Sequence, residues 1–239
     1  MLQTAFSQMG ELQPTELSGE APACRQSDCA ASACRLSDCK MLRAAGQTRT
    51  VSARDTLFWQ DDDAEFLFIV IKGMARACRL TSDGRRQINR FAFPGDLLAA
   101  TNAGFYPYSV EAVTGLEVIA LPRASADTLI DQVACLRKLV SATILKELDE
   151  VHDQVMLLGR MTAAERVGHV LALLARHTQT VPGQPIDLAV SRADIADYSG
   201  LTVETVSRTL SRFKREGKIR MLGQREIIVP DFSELAEAA

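Results

Sequence analysis

The sequence predicts an α+β protein in which a small antiparallel β-roll, one long helix and a C-terminal winged helix-turn-helix follow one another. Three observations predict it. Short apolar runs alternate with turn signals as far as Pro122. Beyond that point apolar residues step by three or four through Leu158, the helical period. Residues 186–229 then give a helix, a glycine turn, a second helix and a hairpin in that order. The 239 residues, 47% hydrophobic and 24% charged, suffice for two ordinary domains whose cores need no disulfides.

Four segments separate by pattern: a cysteine-containing stretch over 1–45, the roll over 46–125, the long helix over 126–159 and the winged helix-turn-helix domain over 160–239. In the roll, Phe66-Leu67-Phe68-Ile69-Val70-Ile71 reads as a strand ending at Lys72-Gly73, and a second covers about Ala75–Leu80. Ser82-Asp83-Gly84 and Pro94-Gly95-Asp96 are turn signals, and Leu116–Leu121 is the last strand. Short strands so closely spaced close into a small barrel or roll. The long helix carries Leu129, Val133, Leu136, Val140, Ile144, Leu148, Val151, Val155 and Leu158 on its apolar steps. Unbroken, it would run about 48 Å. Its stripe can lie on the roll or on a second copy, and Leu136, Val140, Ile144, Leu148, Val151 and Val155 are the candidates for a parallel homodimer seam. The last domain begins with a helix over Thr162–His177, opened by a capping box of Thr162 and Glu165. Pro182-Gly183-Gln184-Pro185 reads as a loop.

Chemistry enters with the two helices that follow. Ser191 can cap a helix over Arg192–Tyr198, Ser199-Gly200 supplies the turn, and Thr202 caps a second helix from Val203 to about Glu216. Val206, Leu210 and Phe213 would face inward, leaving Glu204, Thr205, Ser207, Arg208, Ser211, Arg212 and Arg215 outside. A helix of this kind fits the DNA major groove with the side chains near its N-terminus on base edges. Arg208 can donate two hydrogen bonds to a guanine, Glu204 can accept from a cytosine amino group, and Ser207 can meet a neighbouring base. Arg212, Lys214, Arg215, Lys218 and Arg220 form a basic cluster suited to phosphates. The segments 218–222 and 225–229 around Gly223-Gln224 make the wing. The formal charge of -3 decides nothing by itself, because the distribution of charge matters more than its sum.

Four cysteines, Cys24, Cys29, Cys34 and Cys39, stand in a C-x4-C-x4-C-x4-C array, part of a ten-residue motif that occurs twice. On a helix each five-residue step turns about 140°, so the thiols converge only if the segment wraps around something. No leader-like or membrane-spanning apolar run is present, which implies a cytoplasmic protein with reduced thiols and no membrane partner. Four thiolates there suit an iron–sulfur cluster or tetrahedral zinc, and a thiol–disulfide switch stays open. Cys78 and Cys135 read as small buried apolar residues.

With Leu201-Thr202-Val203-Glu204-Thr205-Val206-Ser207-Arg208 in view, the chain resembles the CRP/FNR superfamily, in particular the FNR and FixK branch with its Glu-x-x-Ser-Arg signature. From about residue 50 the likeness covers nearly everything. Gly84-Arg85-Arg86-Gln87-Ile88 and Phe93-Pro94-Gly95-Asp96 resemble parts of a cyclic-nucleotide-binding-like sensor roll, and Leu158–Val167 resembles the start of the DNA-binding domain. The resemblance implies a homodimeric transcription regulator on double-stranded DNA, with a palindrome of TTGA-type half-sites, Glu204, Ser207 and Arg208 as base readers, and RNA polymerase as a further partner. Thr202, Thr205 and Arg212 are the accompanying DNA contacts.

The resemblance also implies limits. Tyr108 stands where members that bind cyclic AMP have an arginine for the cyclic phosphate, so no cyclic nucleotide is expected. FNR-type members hold an oxygen-labile [4Fe–4S] cluster through N-terminal cysteines. Here the spacing is regular rather than uneven, and the family's fourth ligand position, just before Pro122, has no cysteine. The fourth ligand is then the extra N-terminal cysteine or Cys78. FixK-type members have no cluster, which keeps a cofactor-free regulator open. The expectation is a regulator controlled by oxygen or redox state, and not an enzyme; a redox metalloenzyme is the rival of another class, with no nucleotide loop or catalytic set in its support.

Overall fold

The structure, a computed structural model, describes Leu36 and residues 39–236 apart from residues 102, 179 and 224. A short helix α1 (Lys40–Ala45) precedes eight strands. β1 (Gln47–Val51), β8 (Leu116–Pro122), β3 (Phe66–Lys72) and β6 (Leu97–Leu98) form one antiparallel sheet in that order. β2 (Thr56–Phe58), β7 (Ser109–Ala112), β4 (Ala75–Leu80) and β5 (Arg86–Ala92) form the other. This is the roll.

The unbroken apolar run in β3 follows from burial of both its faces. Successive side chains of a strand point to opposite sides. Phe68 and Val70 point into the roll with Phe58, Tyr106 and Val118. Leu67 and Ile69 point outward into a second core with Leu36, Leu42, Leu129 and Leu136. The other sheet behaves likewise: Ala75 and Ala77 face inward, while Cys78, Ile88 and Phe91 face the C-terminal domain. Both outer faces of the roll are therefore covered by the rest of the chain.

The single helix expected over 126–158 is two helices. α2 (Arg123–Gln132) and α3 (Ala134–Arg160) meet at Val133, whose backbone is extended at φ -114° and ψ 98°. The apolar period runs on across the break because both helices cover the same sheet. Carbonyls released at the end of α2 are taken by the Arg137 guanidinium, which donates to Ile130 and Asp131. The 27 residues of α3 span about 40 Å.

The expected seam divides here too. Leu136 is 1% exposed inside the second core and belongs to its own protomer, because the break at Val133 turns the start of α3 onto the roll. Val140 is half-buried at the edge of that core. Ile144, Leu148, Val151 and Val155 are 46 to 63% exposed.

The C-terminal domain holds α4 (Ala163–His177), β9 (Pro185–Asp187), α5 (Arg192–Ser199), α6 (Val203–Arg215), β10 (Arg220–Met221), β11 (Glu226–Ile228) and α7 (Ser233–Ala236). α4 opens with the expected capping box, Thr162 accepting from Glu165 N–H while Glu165 accepts from Thr162 N–H. The wing has a third strand where the sequence predicts a loop: β9 pairs with β11, Pro185 opposite Ile228. None of the described helices is long and apolar enough to cross a membrane.

Replacing Leu136 by Ala should cost about 2–5 kcal/mol of protomer stability in urea unfolding, the range for a buried leucine. Association between protomers should stay unchanged. A loss confined to association would return Leu136 to the seam.

Candidate functional site

The candidate site is built on α5 and α6. Ser191 Oγ accepts from Asp194 N–H at 3.1 Å, and Asp194 Oδ2 accepts from Ser191 N–H at 3.0 Å, so α5 begins with a full capping box. It ends at Gly200 in the left-handed region, φ 63° and ψ 38°, where glycine carries no Cβ penalty. A Cβ there would also meet Leu158 at 3.2 Å. α6 starts one turn later, with Thr202 Oγ1 accepting from Thr205 N–H at 3.2 Å.

α6 is strongly two-sided. Val206, Leu210 and Phe213 are buried, at 0, 5 and 0% exposed. Thr202, Glu204 and Arg208 are exposed, and Thr205, Ser207 and Arg212 are half-exposed on the same outer surface. The six expected contact residues thus share one face. The Glu204 carboxylate is held below its ordinary range by its own backbone N–H and then by the Thr202 hydroxyl, so it is an anion at neutral pH. Ser207 Oγ accepts from Arg192 at 3.2 Å, which ties the first residue of α5 to the outer face of α6. Arg212 approaches Glu216 along the helix at 3.7 Å.

Three features of the site have no local signal in the sequence. Arg166 clasps the turn: its guanidinium donates to the carbonyls of Leu158, Met161 and Ser199 at 2.9 to 3.0 Å, joining the end of α3 to the end of α5.

The second is an ionic network between the roll and α5. Arg76 Nη1 lies 2.6 Å from Asp194 Oδ1, and its Nε and Nη2 donate to Glu111. Arg86 donates to Asp194 at 3.0 Å, to Glu111 at 3.2 Å and to Asp197 at 2.8 Å. Asp194 is nearly inaccessible, and one of its oxygens serves the cap while the other takes both arginines. Phe91 stacks on Tyr198 at 5.2 Å beside the network, and Gln87 donates to the Tyr198 carbonyl. Cys78 lies among these side chains, its thiol pushed up to about 11 by burial and then by Glu111. It is a buried neutral thiol.

The third is a smaller network joining the roll to α3. Arg90 lies 2.6 Å from Glu147 and 3.4 Å from Asp96, and Lys146 donates to Asp96 at 3.0 Å. Within the ionic networks themselves the sequence signals the cap that Asp194 forms with Ser191, the two standing at cap spacing, and none of the ion pairs. The arginines that Asp194 receives come from residues more than a hundred positions away.

Of the cysteine array, Cys24, Cys29 and Cys34 lie outside the described residues. Cys39 is a buried free thiol at the N-cap of α1, packed in the core that holds Leu36 and Leu136. Among the described residues no three His, Cys, Asp or Glu side chains form a metal-holding group. Tyr108 is half-buried in the roll, its hydroxyl accepting from Ala99 N–H at 3.1 Å; that position offers a neutral phenol rather than a cation.

Comparison with known proteins gives two domain families. The Crp-like helix-turn-helix domain matches residues 165–238, and the cyclic nucleotide-binding domain matches residues 48–133. The chain is 38% identical over 226 residues to the nitrogen fixation regulation protein FixK of Azorhizobium caulinodans, covering 90% of this chain and 89% of that one. It is 33% identical over 197 residues to the transcriptional activator protein FnrL of Cereibacter sphaeroides, covering 80% and 79%. FixK2 of Bradyrhizobium japonicum has a similar solved structure, with a TM-score of 0.73 at 33% identity over 80% of this chain and 96% of that one.

Asp194→Ala should destabilise the protein by about 3–5 kcal/mol in urea unfolding, because it strands two guanidiniums and removes a cap. Asp194→Asn, which keeps an acceptor for the cap, should lose less. A cost under about 1 kcal/mol for the alanine variant would mean the network contributes little.

Proposed function

The chain belongs to the CRP/FNR family and is a DNA-binding transcription regulator of the FNR/FixK type, and from that premise we propose that it reads a TTGA-type palindrome as a homodimer under oxygen or redox control. The observation that carries the reading is the two-sidedness of α6, which buries Val206, Leu210 and Phe213 and leaves Glu204, Ser207 and Arg208 on one open face. Arg208 donates to guanine O6 and N7, Glu204 accepts from a cytosine amino group, and Ser207, steadied by Arg192, meets the neighbouring base. Thr202, Thr205 and Arg212 contact the surrounding backbone. RNA polymerase is the further partner of the bound regulator.

A palindrome needs two reading heads about 34 Å apart. The exposed stripe of Ile144, Leu148, Val151 and Val155 on α3 supports the homodimer, with Leu145 and Met156 beside it at 61 and 57% exposed. Left in water, such a row would be a costly apolar surface; a second α3 removes it.

The signal enters through the N-terminal thiols. Cys24, Cys29, Cys34 and Cys39 offer the donor chemistry of a [4Fe–4S] cluster, which supplies oxygen-labile redox chemistry when bound. Cys39 supports the coupling, because it packs in the same core as Leu136 at the start of α3. A change in the segment around Cys39 reaches the dimer helix through that core, and operator affinity shifts with the population of the binding-competent pose. The alternative of a cofactor-free regulator is favoured by the 38% identity to FixK. A zinc or thiol–disulfide switch would use the same four cysteines.

Single alanine variants at Glu204, Ser207 and Arg208 should each lose about 1–3 kcal/mol of preference for a TTGA palindrome over scrambled DNA in fluorescence anisotropy. Their dimer content in sedimentation should stay that of the wild type. Retained discrimination would remove these residues from the reading set.

Protein purified without oxygen should contain iron and sulfide and show visible absorption that air bleaches, and Cys39→Ser should lower its iron content. Iron-free protein that still binds the palindrome would hand the reading to the cofactor-free alternative.

A further inference from the structure

The stripe proposed as the homodimer seam has a register of its own. Ile144, Leu148, Val151, Val155 and Leu158 step alternately by four and three, the spacing of a parallel two-stranded coiled coil. In such a pair the residue just after a seam position on one helix lies opposite the residue just before a seam position on the other. Leu145 follows Ile144 and is 61% exposed. Across the seam it meets Val140 of the other copy, which precedes the seam position of Ser141. His152, also exposed, follows Val151 and in the same way meets Glu147, a carboxylate that is partly open. The register thus sets apolar against apolar and a hydrogen-bond donor against an acceptor.

Val140 borders an opening in the protomer. A pocket of about 260 Å³ lies between the roll, α2 and α3, and Val140 and Ile144 line it from α3. Its apolar lining includes Leu67 of β3, Leu97 of β6 and Ala126 of α2, all buried members of the second core. The polar groups on the lining are accounted for. Arg123 donates to the carbonyls of Ala64, Ala99 and Thr101 at 2.7 to 2.9 Å, and Asp127 is exposed. The pocket therefore suits an apolar side chain rather than an ion, and its size suits a side chain rather than a stretch of backbone.

We infer that in the homodimer Leu145 of the partner subunit enters this pocket, so that the second core of each protomer is closed by a side chain from the other copy. Continuity fixes the occupant. The pocket shares Ile144 with the seam, and Leu145 is the exposed apolar residue that the register brings to Val140. By the two-fold symmetry of such a pair the exchange occurs twice. The inference rests on the proposed homodimer and adds to it a contact outside the helix pair, reaching past α3 to β3, β6 and α2. A shift of the roll against α3 then alters the pocket, and association and roll position are coupled in both directions.

The test uses the full-length protein and sedimentation equilibrium. Leu145→Ala, at a position exposed in the protomer, should fold normally and raise the dimer dissociation constant by about 100-fold, about tenfold for each pocket emptied. Met156→Ala removes a side chain of similar exposure at 57%, away from the positions that flank the seam, and should change the constant by less than about fivefold. Ala100 is exposed on the pocket lining, so Ala100→Leu fills the pocket from within and should also weaken the dimer. Mixing Leu145→Ala with Ala100→Leu decides the matter. In the mixed dimer the filled pocket meets the shortened side chain and the open pocket meets a native leucine, so it should associate at least about tenfold more tightly than either parent. A mixed dimer no tighter than its parents overturns the inference, as does an Ala100→Leu dimer as tight as the wild type or an equal loss at Leu145 and Met156. In each of those outcomes the wild-type dimer still stands. A wild type that sediments as a monomer removes the homodimer reading itself.

Discussion

One carboxylate, Asp194, stands where the two halves of the chain meet, and much of the arrangement depends on it. One oxygen closes the capping box of α5, which starts the helix-turn-helix; the other receives Arg76 and Arg86 from the roll. A buried carboxylate is expensive unless paired and hydrogen-bonded. Here the two demands satisfy each other. The roll cannot leave α5 without stranding two guanidiniums, and α5 cannot fray without releasing the acceptor that holds the roll. The reading head therefore has a defined tilt against the roll, set by charges at 2.6 to 3.0 Å rather than by apolar contact alone.

This docking changes how a signal can travel. The long helix is one route, since Arg90 and Asp96 of the roll engage Glu147 and Lys146 of α3. The second route avoids α3: β4 and β5 reach α5 directly through Arg76, Arg86, Gln87 and Phe91. Arg166 closes the loop by binding carbonyls of α3 and α5 at once. A movement of the roll is thus felt at both ends of the helix-turn-helix. Ordered ionic contacts of this geometry favour discrete alternatives over gradual bending, because a pair displaced by a few ångströms loses its hydrogen bonds while remaining desolvated.

Local features were legible in the sequence and long-range ones were not. The caps at Thr162, Ser191 and Thr202, the turn at Gly200 and the buried stripe of α6 all follow from spacing within a few residues, and the structure has each of them. The roll followed from alternating strands and turns. The break at Val133 was hidden because the apolar period continues through it, and periodicity reports which side of a segment is buried rather than whether its backbone is continuous. For the same reason Leu136 and Val155 looked equivalent as seam residues, yet one lies under the roll and the other is open. The arginine pairs could not be read at all: nothing local to Arg86, just past the Ser82-Asp83-Gly84 turn, points to Asp194 and Asp197, which the fold brings to it from more than a hundred positions away.

The net charge of -3 acquires a meaning from this geometry. A DNA-binding head gains from positive potential, yet residues 186–229 hold Asp187, Asp194, Asp197, Glu204, Glu216 and Glu226 among their cations. Docking disposes of the two on α5: Asp194 and Asp197 spend their charge on Arg76 and Arg86 within about 3 Å, so little of their field reaches beyond the interface. Glu216 faces Arg212 along α6. What remains toward the proposed DNA surface is Arg192, Arg208, Lys214, Arg215, Arg220 and Arg225 against Asp187, Glu204 and Glu226, with Glu204 as the acid placed to accept from a base. A head released from the roll would instead carry two uncompensated carboxylates beside its reading helix. Docking and affinity for DNA are thereby coupled through charge, without any change in the reading helix itself.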